Sequence, residues 1–95
     1  MRKYELGLVV KPDLTDEARI AVITKFQGII EAQKGSVVKL DDWGKRKLAY
    51  EIEKYREGYY SFTTFEGNGD VVNELNRIAR ISEELLRHLI IRVED

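Results

Sequence analysis

The sequence predicts an α+β protein with a ferredoxin-like β-α-β-β-α-β order: a four-stranded antiparallel sheet, strand order 4-1-3-2, carrying two helices on one face. Three observations lead there. Four stretches alternate apolar and polar residues with the period of a strand. Two stretches between them repeat apolar residues with the period of a helix. Right-handed crossovers then stack both helices on the same side of the sheet. The 95 residues read as one domain, 1–95, with no repeats or low-complexity segments.

Each element has its own signals. Lys3 to Val10 alternates Tyr4, Leu6, Leu8 and Val10 against Lys3, Glu5, Gly7 and Val9, and Pro12-Asp13 ends it. Thr15 is the expected N-cap of the first helix, with Asp16 and Glu17 suited to the dipole of its first turn. Val22, Phe26, Ile29 and Ile30 form its core stripe, and Gly35 is expected at the C′ position. Val37, Val38 and Leu40 begin the second strand. Trp43-Gly44 marks a bulge, and the strand resumes at Leu48 with Leu48, Tyr50 and Ile52 on one face. A turn is expected over Lys54–Gly58 and a third strand over Tyr59–Glu66. Asp70 is the expected cap of a second helix burying Val71, Val72, Leu75, Ile78 and Ala79. Ser82 is expected to cap a single turn through Glu83 and Glu84, before a fourth strand over Leu86–Val93.

Charge is informative only by patch, because the net charge is −1. Residues 43–56 carry Lys45, Arg46, Lys47, Lys54 and Arg56 against Glu51 and Glu53. Residues 77–92 carry Arg77, Arg80, Arg87 and Arg92 against Glu83 and Glu84. The run Lys45-Arg46-Lys47 is expected at the mouth of a strand, where fixed cations attract an anion such as phosphate; a merely solvated strand entrance is the plainer alternative. If all three met phosphates, removing them would flatten the salt dependence of affinity for that anion by about 2–3 units. The topology gathers Arg2, Lys3 and Arg92 at one end of the sheet. Lys11, the Lys54–Arg56 turn and Arg87 gather at the other.

The third and fourth strands are apolar on both faces, yet helices cover only one. The helix-free face is expected to bear Tyr60, Phe62, Leu89 and Ile91 and to dock a partner protein. The reverse register would present Tyr59, Phe65, His88 and Ile90 instead.

Other functions find little support. His88 is the lone histidine, set among aliphatics, and no cysteine supplies a disulfide, a thiolate nucleophile or a metal ligand, so no catalytic residue, metal or cofactor is expected. The absence of cysteine fits a reducing compartment. No secretory leader is evident, and no apolar run approaches the roughly 20 residues of a membrane span. The loop Lys11-Pro12-Asp13-Leu14 lacks the glycine-rich phosphate cradle of small acyl-phosphate hydrolases. Glu57-Gly58-Tyr59-Tyr60-Ser61-Phe62 departs from the base-stacking signature of the RNA-recognition motif at its basic, small and second aromatic positions.

Four segments carry a specific resemblance. They are Met1-Arg2-Lys3-Tyr4-Glu5; Asp42-Trp43-Gly44-Lys45-Arg46-Lys47-Leu48-Ala49-Tyr50-Glu51-Ile52; Glu57-Gly58-Tyr59-Tyr60; and Arg80-Ile81-Ser82 with Leu86-Arg87-His88-Leu89-Ile90-Ile91-Arg92. Along nearly the whole chain the sequence resembles the bacterial small-subunit ribosomal protein S6 family. That resemblance implies a cytoplasmic, non-enzymatic constituent of the small ribosomal subunit. It would pair with ribosomal protein S18 and bind the central domain of small-subunit (16S) ribosomal RNA. Candidate RNA-binding residues are Arg2, Lys3, Lys45, Arg46, Lys47, Arg87 and Arg92. Some relatives carry a long acidic C-terminal tail; the sequence here reaches Glu94-Asp95, and no property of such a tail is carried over. A ribosomal subunit would be monomeric alone and heterodimeric with its partner. The competing class is a ferredoxin-like regulatory or oligomerisation module that binds a protein or small ligand through its open sheet face.

Overall fold

The computed structural model describes residues 2–93; Met1, Glu94 and Asp95 lie outside the described residues. The chain runs through β1 (Arg2–Val10), α1 (Asp16–Ala32), β2 (Ser36–Ile52), β3 (Tyr55–Gly67), α2 (Gly69–Arg80) and β4 (Leu85–Val93). The strands lie in the order β2-β3-β1-β4, and every neighbouring pair is antiparallel. This is the expected ferredoxin-like α+β topology, read from the opposite edge.

The core forms between the sheet and the two helices. Leu6, Leu8 and Val10 of β1 are at most 1% exposed and share a cluster with Phe26, Ile30, Phe65, Val71 and Leu75. Fully burying each such side chain stabilises the fold by about 1.5–3 kcal/mol. Phe65 is 0% exposed and stacks on Tyr4 with ring centroids 5.5 Å apart. That fixes the register: Tyr59, Ser61, Thr63 and Phe65 face the helices, so Tyr60, Phe62 and Thr64 face away.

The helix ends repay inspection. The Thr15 hydroxyl accepts the Ala18 N–H at 3.1 Å, the expected N-cap. At the other end of α1 the left-handed residue is Lys34 (φ 66°), not Gly35. The Lys34 N–H donates to Glu31 O and the Gly35 N–H to Ile30 O, the paired bonds of a Schellman ending. Gly35 is required for space instead. A Cβ there would stand 2.8 Å from Glu66 O and 2.9 Å from Ile30 Cγ2. In α2 the cap is Asn68, whose side chain accepts from Asp70 N and Val71 N; Asp70 lies inside the first turn. Ser82 does not cap a turn through its side chain. Its hydroxyl donates back to Ile78 O at 2.7 Å, while its carbonyl accepts from Leu85 N.

The largest departure from expectation is the β2–β3 hairpin. Its turn is only Glu53-Lys54, with Ile52 opposite Tyr55 and φ of 48° and 72° at the two turn residues. Arg56, Glu57 and Gly58 are therefore strand. A two-residue turn with both φ positive matches the twist of its strands, which the mirror-image type I or II turn would splay. β2 spends 17 residues against the 13 of β3. The surplus appears as register shifts between Val37 and Lys39, between Asp42 and Gly44, and between Lys47 and Ile52. The strand is continuous from Ser36, so Lys45-Arg46-Lys47 sits in mid-strand rather than at a strand mouth. The tip is braced where the Tyr55 hydroxyl donates to Asp13 at 2.7 Å.

Candidate functional site

The helix-free face follows from strand alternation. Val9 lies between Tyr60 and Arg87, Gly7 between Phe62 and Leu89, and Glu5 between Thr64 and Ile91. These residues line up across three strands on the side away from the helices. Leu89 is 58% exposed and Ile91 44%, while Tyr60 and Phe62 are half-buried. Gly7 forms the floor of this face. A Cβ at Gly7 would lie 3.1 Å from the Phe62 ring, so a larger residue would press on the ring where it crosses β1.

The bulged end of β2 supplies the wall. Leu48, Tyr50 and Ile52 join Gly7, Val9, Tyr60, Phe62, Arg87 and Leu89 around a groove of about 210 Å³. Each extra residue in β2 bends the strand relative to its straighter partner, which carries this end around the groove. The Arg87 guanidinium donates to the Tyr50 hydroxyl at 3.0 Å and lies 5.9 Å from that ring, bridging β4 to β2 across the groove mouth. Arg87 thus stands with the partner-face candidates at a hydrated rim.

Trp43 belongs to the same face. It is the inserted residue of the bulge between Asp42 and Gly44. Gly44 takes φ +73°, a backbone conformation that favours glycine. The Trp43 indole lies 4.6 Å from the Phe62 ring, centroid to centroid, and is 51% exposed. Sequence reading identified the bulge but assigned Trp43 no face, because one inserted residue breaks strict alternation. The Trp43-Gly44 pair was the available signal.

The basic residues do not form one patch. Lys45 stands opposite Tyr59, and its ammonium lies 5.5 Å from that ring. Arg46 pairs with Gly58, donates Nε–H to Trp43 O at 3.2 Å, and lies 5.7 Å from the indole. Lys47 faces Glu57. Lys45 and Lys47 therefore project to the helix side and Arg46 to the other. The stretch 77–92 also disperses. Arg77 makes a two-pronged bond to Glu74 (2.7 and 2.9 Å), and this hydrogen bonding holds the Glu74 carboxyl below the usual carboxylate range. Arg87 and Arg92 lie toward opposite ends of β4. Arg2 and Lys3 pair with Gly67 and Glu66, and Arg92 lies opposite Tyr4. The structure therefore brings Arg2, Lys3 and Arg92 to one end of the sheet as expected.

On the helix side, Arg19 of α1 reaches β2. Its guanidinium donates to Asp42 Oδ2 at 2.8 Å and lies 4.8 Å from the Tyr59 ring. Burial pushes the Asp42 carboxyl up, but the bonds from Arg19 and the Gly44 N–H outweigh it and hold the group below its ordinary range. His88 pairs with Leu8 on the helix side; burial, helped by Arg80, pushes its imidazole down. No cluster of His, Cys, Asp or Glu suited to a metal occurs among the described residues. No helix among them is long and apolar enough to cross a membrane.

Fold and surface together define a small ferredoxin-like α+β protein built around an open, aromatic sheet face. Comparison with known proteins makes the family specific. A family model for ribosomal protein S6 matches residues 3–92. The small ribosomal subunit protein bS6 of Moorella thermoacetica is 47% identical over 95 residues, covering 100% of this chain and 97% of that protein. That of Clostridium perfringens is 48% identical over 94 residues, covering 99% of each. The crystal structure of 30S ribosomal protein S6 from Thermotoga maritima superposes with a TM-score of 0.92 at 33% identity, covering 97% of this chain and 87% of that one. The chain belongs to the ribosomal protein S6 family. Members of that family are structural, non-enzymatic proteins of the small ribosomal subunit in the bacterial cytoplasm. The P2 domain of a chemotaxis kinase, 14% identical with a TM-score of 0.57, shares the fold alone.

Proposed function

We propose that this chain acts as one domain in the small ribosomal subunit, docking ribosomal protein S18 through its helix-free face and meeting the central domain of 16S ribosomal RNA with clustered cations. The observation that carries the reading is the groove framed by Tyr60, Phe62, Leu89, Leu48 and Tyr50 and extended past Phe62 by Trp43. Aromatic anchors in a concave apolar surface with a polar rim suit a protein partner better than a phosphate backbone. Ile91 continues the apolar row beside Leu89.

The RNA contacts fall to Arg2, Lys3 and Arg92 at one end of the sheet and to Lys45 and Lys47 on the β2 edge, with Arg46 turned to the opposite face. Arg87 is the link, because it rims the protein-docking groove while keeping its charge in water. A net charge of −1 gives little long-range attraction, so RNA affinity is weak for the isolated chain and rises once a basic partner is bound.

The test has two parts. Tagged protein expressed in bacterial cells should co-purify with small ribosomal subunits, and purified protein should run as a monomer that forms a one-to-one complex with S18. Self-association without S18 binding, together with absence from ribosomal fractions, would refute the proposal and favour an oligomerisation module.

A further inference from the structure

We infer that the Arg19–Asp42 ion pair, on the helix side of the sheet, is the positioning element for Trp43 on the other side, and so sets the shape of the docking face. The inference rests on the reading of the helix-free face as the surface that receives S18. It concerns how a pair that cannot touch that partner controls the surface that does.

The geometry is a carboxylate used at both oxygens. Asp42 Oδ2 accepts from Arg19 at 2.8 Å, and Asp42 Oδ1 accepts the Gly44 N–H at 3.1 Å. The second bond spans the inserted Trp43, so Asp42 clasps the bulge from beneath. The first bond ties that clasp to α1. Arg19 is a firm anchor: its side chain is only 13% exposed and its guanidinium lies over Tyr59. Arg19 Nε is buried without a hydrogen-bond partner, so this guanidinium depends strongly on Asp42.

Trp43 by contrast has no core to hold it. It is 51% exposed and touches the molecule chiefly through Phe62 on one side and Arg46 on the other. Gly44 takes a positive φ, and beyond its chain neighbours nothing lies within 4 Å of where its Cβ would stand, so no other element crowds this side of the bulge. The direction of the indole is therefore set by the bulge, and the bulge by Asp42. Asp42 itself is exposed, so water can replace part of the bond that the Arg19 guanidinium loses with it. Its loss should loosen Trp43 without unfolding the chain.

Trp43 is the only tryptophan, so its fluorescence reports this site alone. Asp42→Ala should raise the acrylamide quenching constant of Trp43 toward that of a fully exposed indole, an increase of up to about twofold from the present half-exposure. Affinity for S18 should fall by about fivefold to tenfold, within the range of a single interface residue. Arg19→Met should act in the same direction, and Arg19→Lys should recover much of both readouts. Far-UV circular dichroism confirms folding, and Asp42→Asn serves if the alanine variant misfolds.

Unchanged quenching in Asp42→Ala and Arg19→Met overturns the inference whatever the partner does. Raised quenching with unchanged S18 affinity also overturns it, provided that Phe62→Ala weakens binding. If Phe62→Ala and Trp43→Ala both leave S18 affinity intact, the docking-face reading itself has failed, and the functional half of the inference falls with it.

Discussion

Replacing Phe62 and Phe65 by alanine, one at a time, separates the two faces of β3. Phe65 is fully buried and stacked on Tyr4 within the cluster that joins the sheet to both helices, so truncating it opens a cavity in the core. Such a change costs about 3–5 kcal/mol. Phe62 is half-buried, with Trp43 on one side and the Gly7 floor beneath. It forfeits about half the value of a buried side chain and one aromatic pair, roughly 1–2 kcal/mol in total. The gap of about 2 kcal/mol corresponds to a difference in Tm of about 8–16 °C for a domain of this size. Thermal melts followed by circular dichroism measure it. The order reverses for binding: Phe62→Ala should lower S18 affinity at least tenfold, or about 2 kcal/mol, because aromatic anchors near an interface centre carry that much. Isothermal titration of folded protein reads this directly. If Phe62→Ala melts below Phe65→Ala, or leaves S18 affinity unchanged, the division of labour between the two faces is wrong.

Three further outcomes are expected. Replacing Glu53-Lys54 by Asn-Gly should raise stability by about 1 kcal/mol or more, seen as a higher urea midpoint, because both positions sit at positive φ where Glu and Lys are strained. Replacing Lys45 and Lys47 by alanine should flatten the slope of log RNA affinity against log salt by about 1.4–1.8 units, and adding Arg46→Ala should change it little; filter binding at several salt concentrations checks this, and a loss near 3 units for the triple variant would show all three cations reaching one phosphate surface. The folded-state value of His88 is depressed below its ordinary 6.5, so the unfolded chain binds the proton more readily, and stability is intact above that value and declines as pH falls through and below it. Urea midpoints taken between about pH 8 and about pH 5 should show this decline in the parent and lose it in His88→Gln.

Much of the fold was legible because its signals are local. The period of Leu6, Leu8 and Val10, the stripe through Val22, Phe26 and Ile30, and the Thr15 cap all depend on residues within a few positions of one another. Phe62 and Phe65 read as lying on opposite faces, with Phe65 preferred inside, but which face meets the helices is decided only by the burial of Phe65. The errors came where geometry outweighed composition. Gly35 reads as a left-handed cap, yet Lys34 takes that conformation, and glycine is needed because Glu66 O approaches from another strand. Asp70 reads as a cap, yet Asn68, two residues earlier, holds the first N–H groups. The hairpin turn was drawn too long because Glu53-Lys54 lacks the glycine or asparagine that usually announces it. At the binding surface, Tyr60, Phe62, Leu89 and Ile91 were visible as the outward half of two-faced strands. Trp43 and Tyr50 were not, because their placement depends on bulges that shift β2 against β3. Nor was Arg19–Asp42, which links residues 23 positions apart.

The position of β1 inside the sheet has a consequence in time. β1 leaves the site of synthesis before the other three strands, and its two neighbours are β3 and β4. β3 arrives in mid-chain, but β4 begins only at Leu85. Until β4 has been made, one edge of the most deeply buried strand has no hydrogen-bonding neighbour, and Leu6 and Leu8 lack part of their cover. A nascent chain in that state offers a free edge to any other extended segment. The sheet closes only when β4 has emerged, so the strand made last of the four is the one that seals the strand made first.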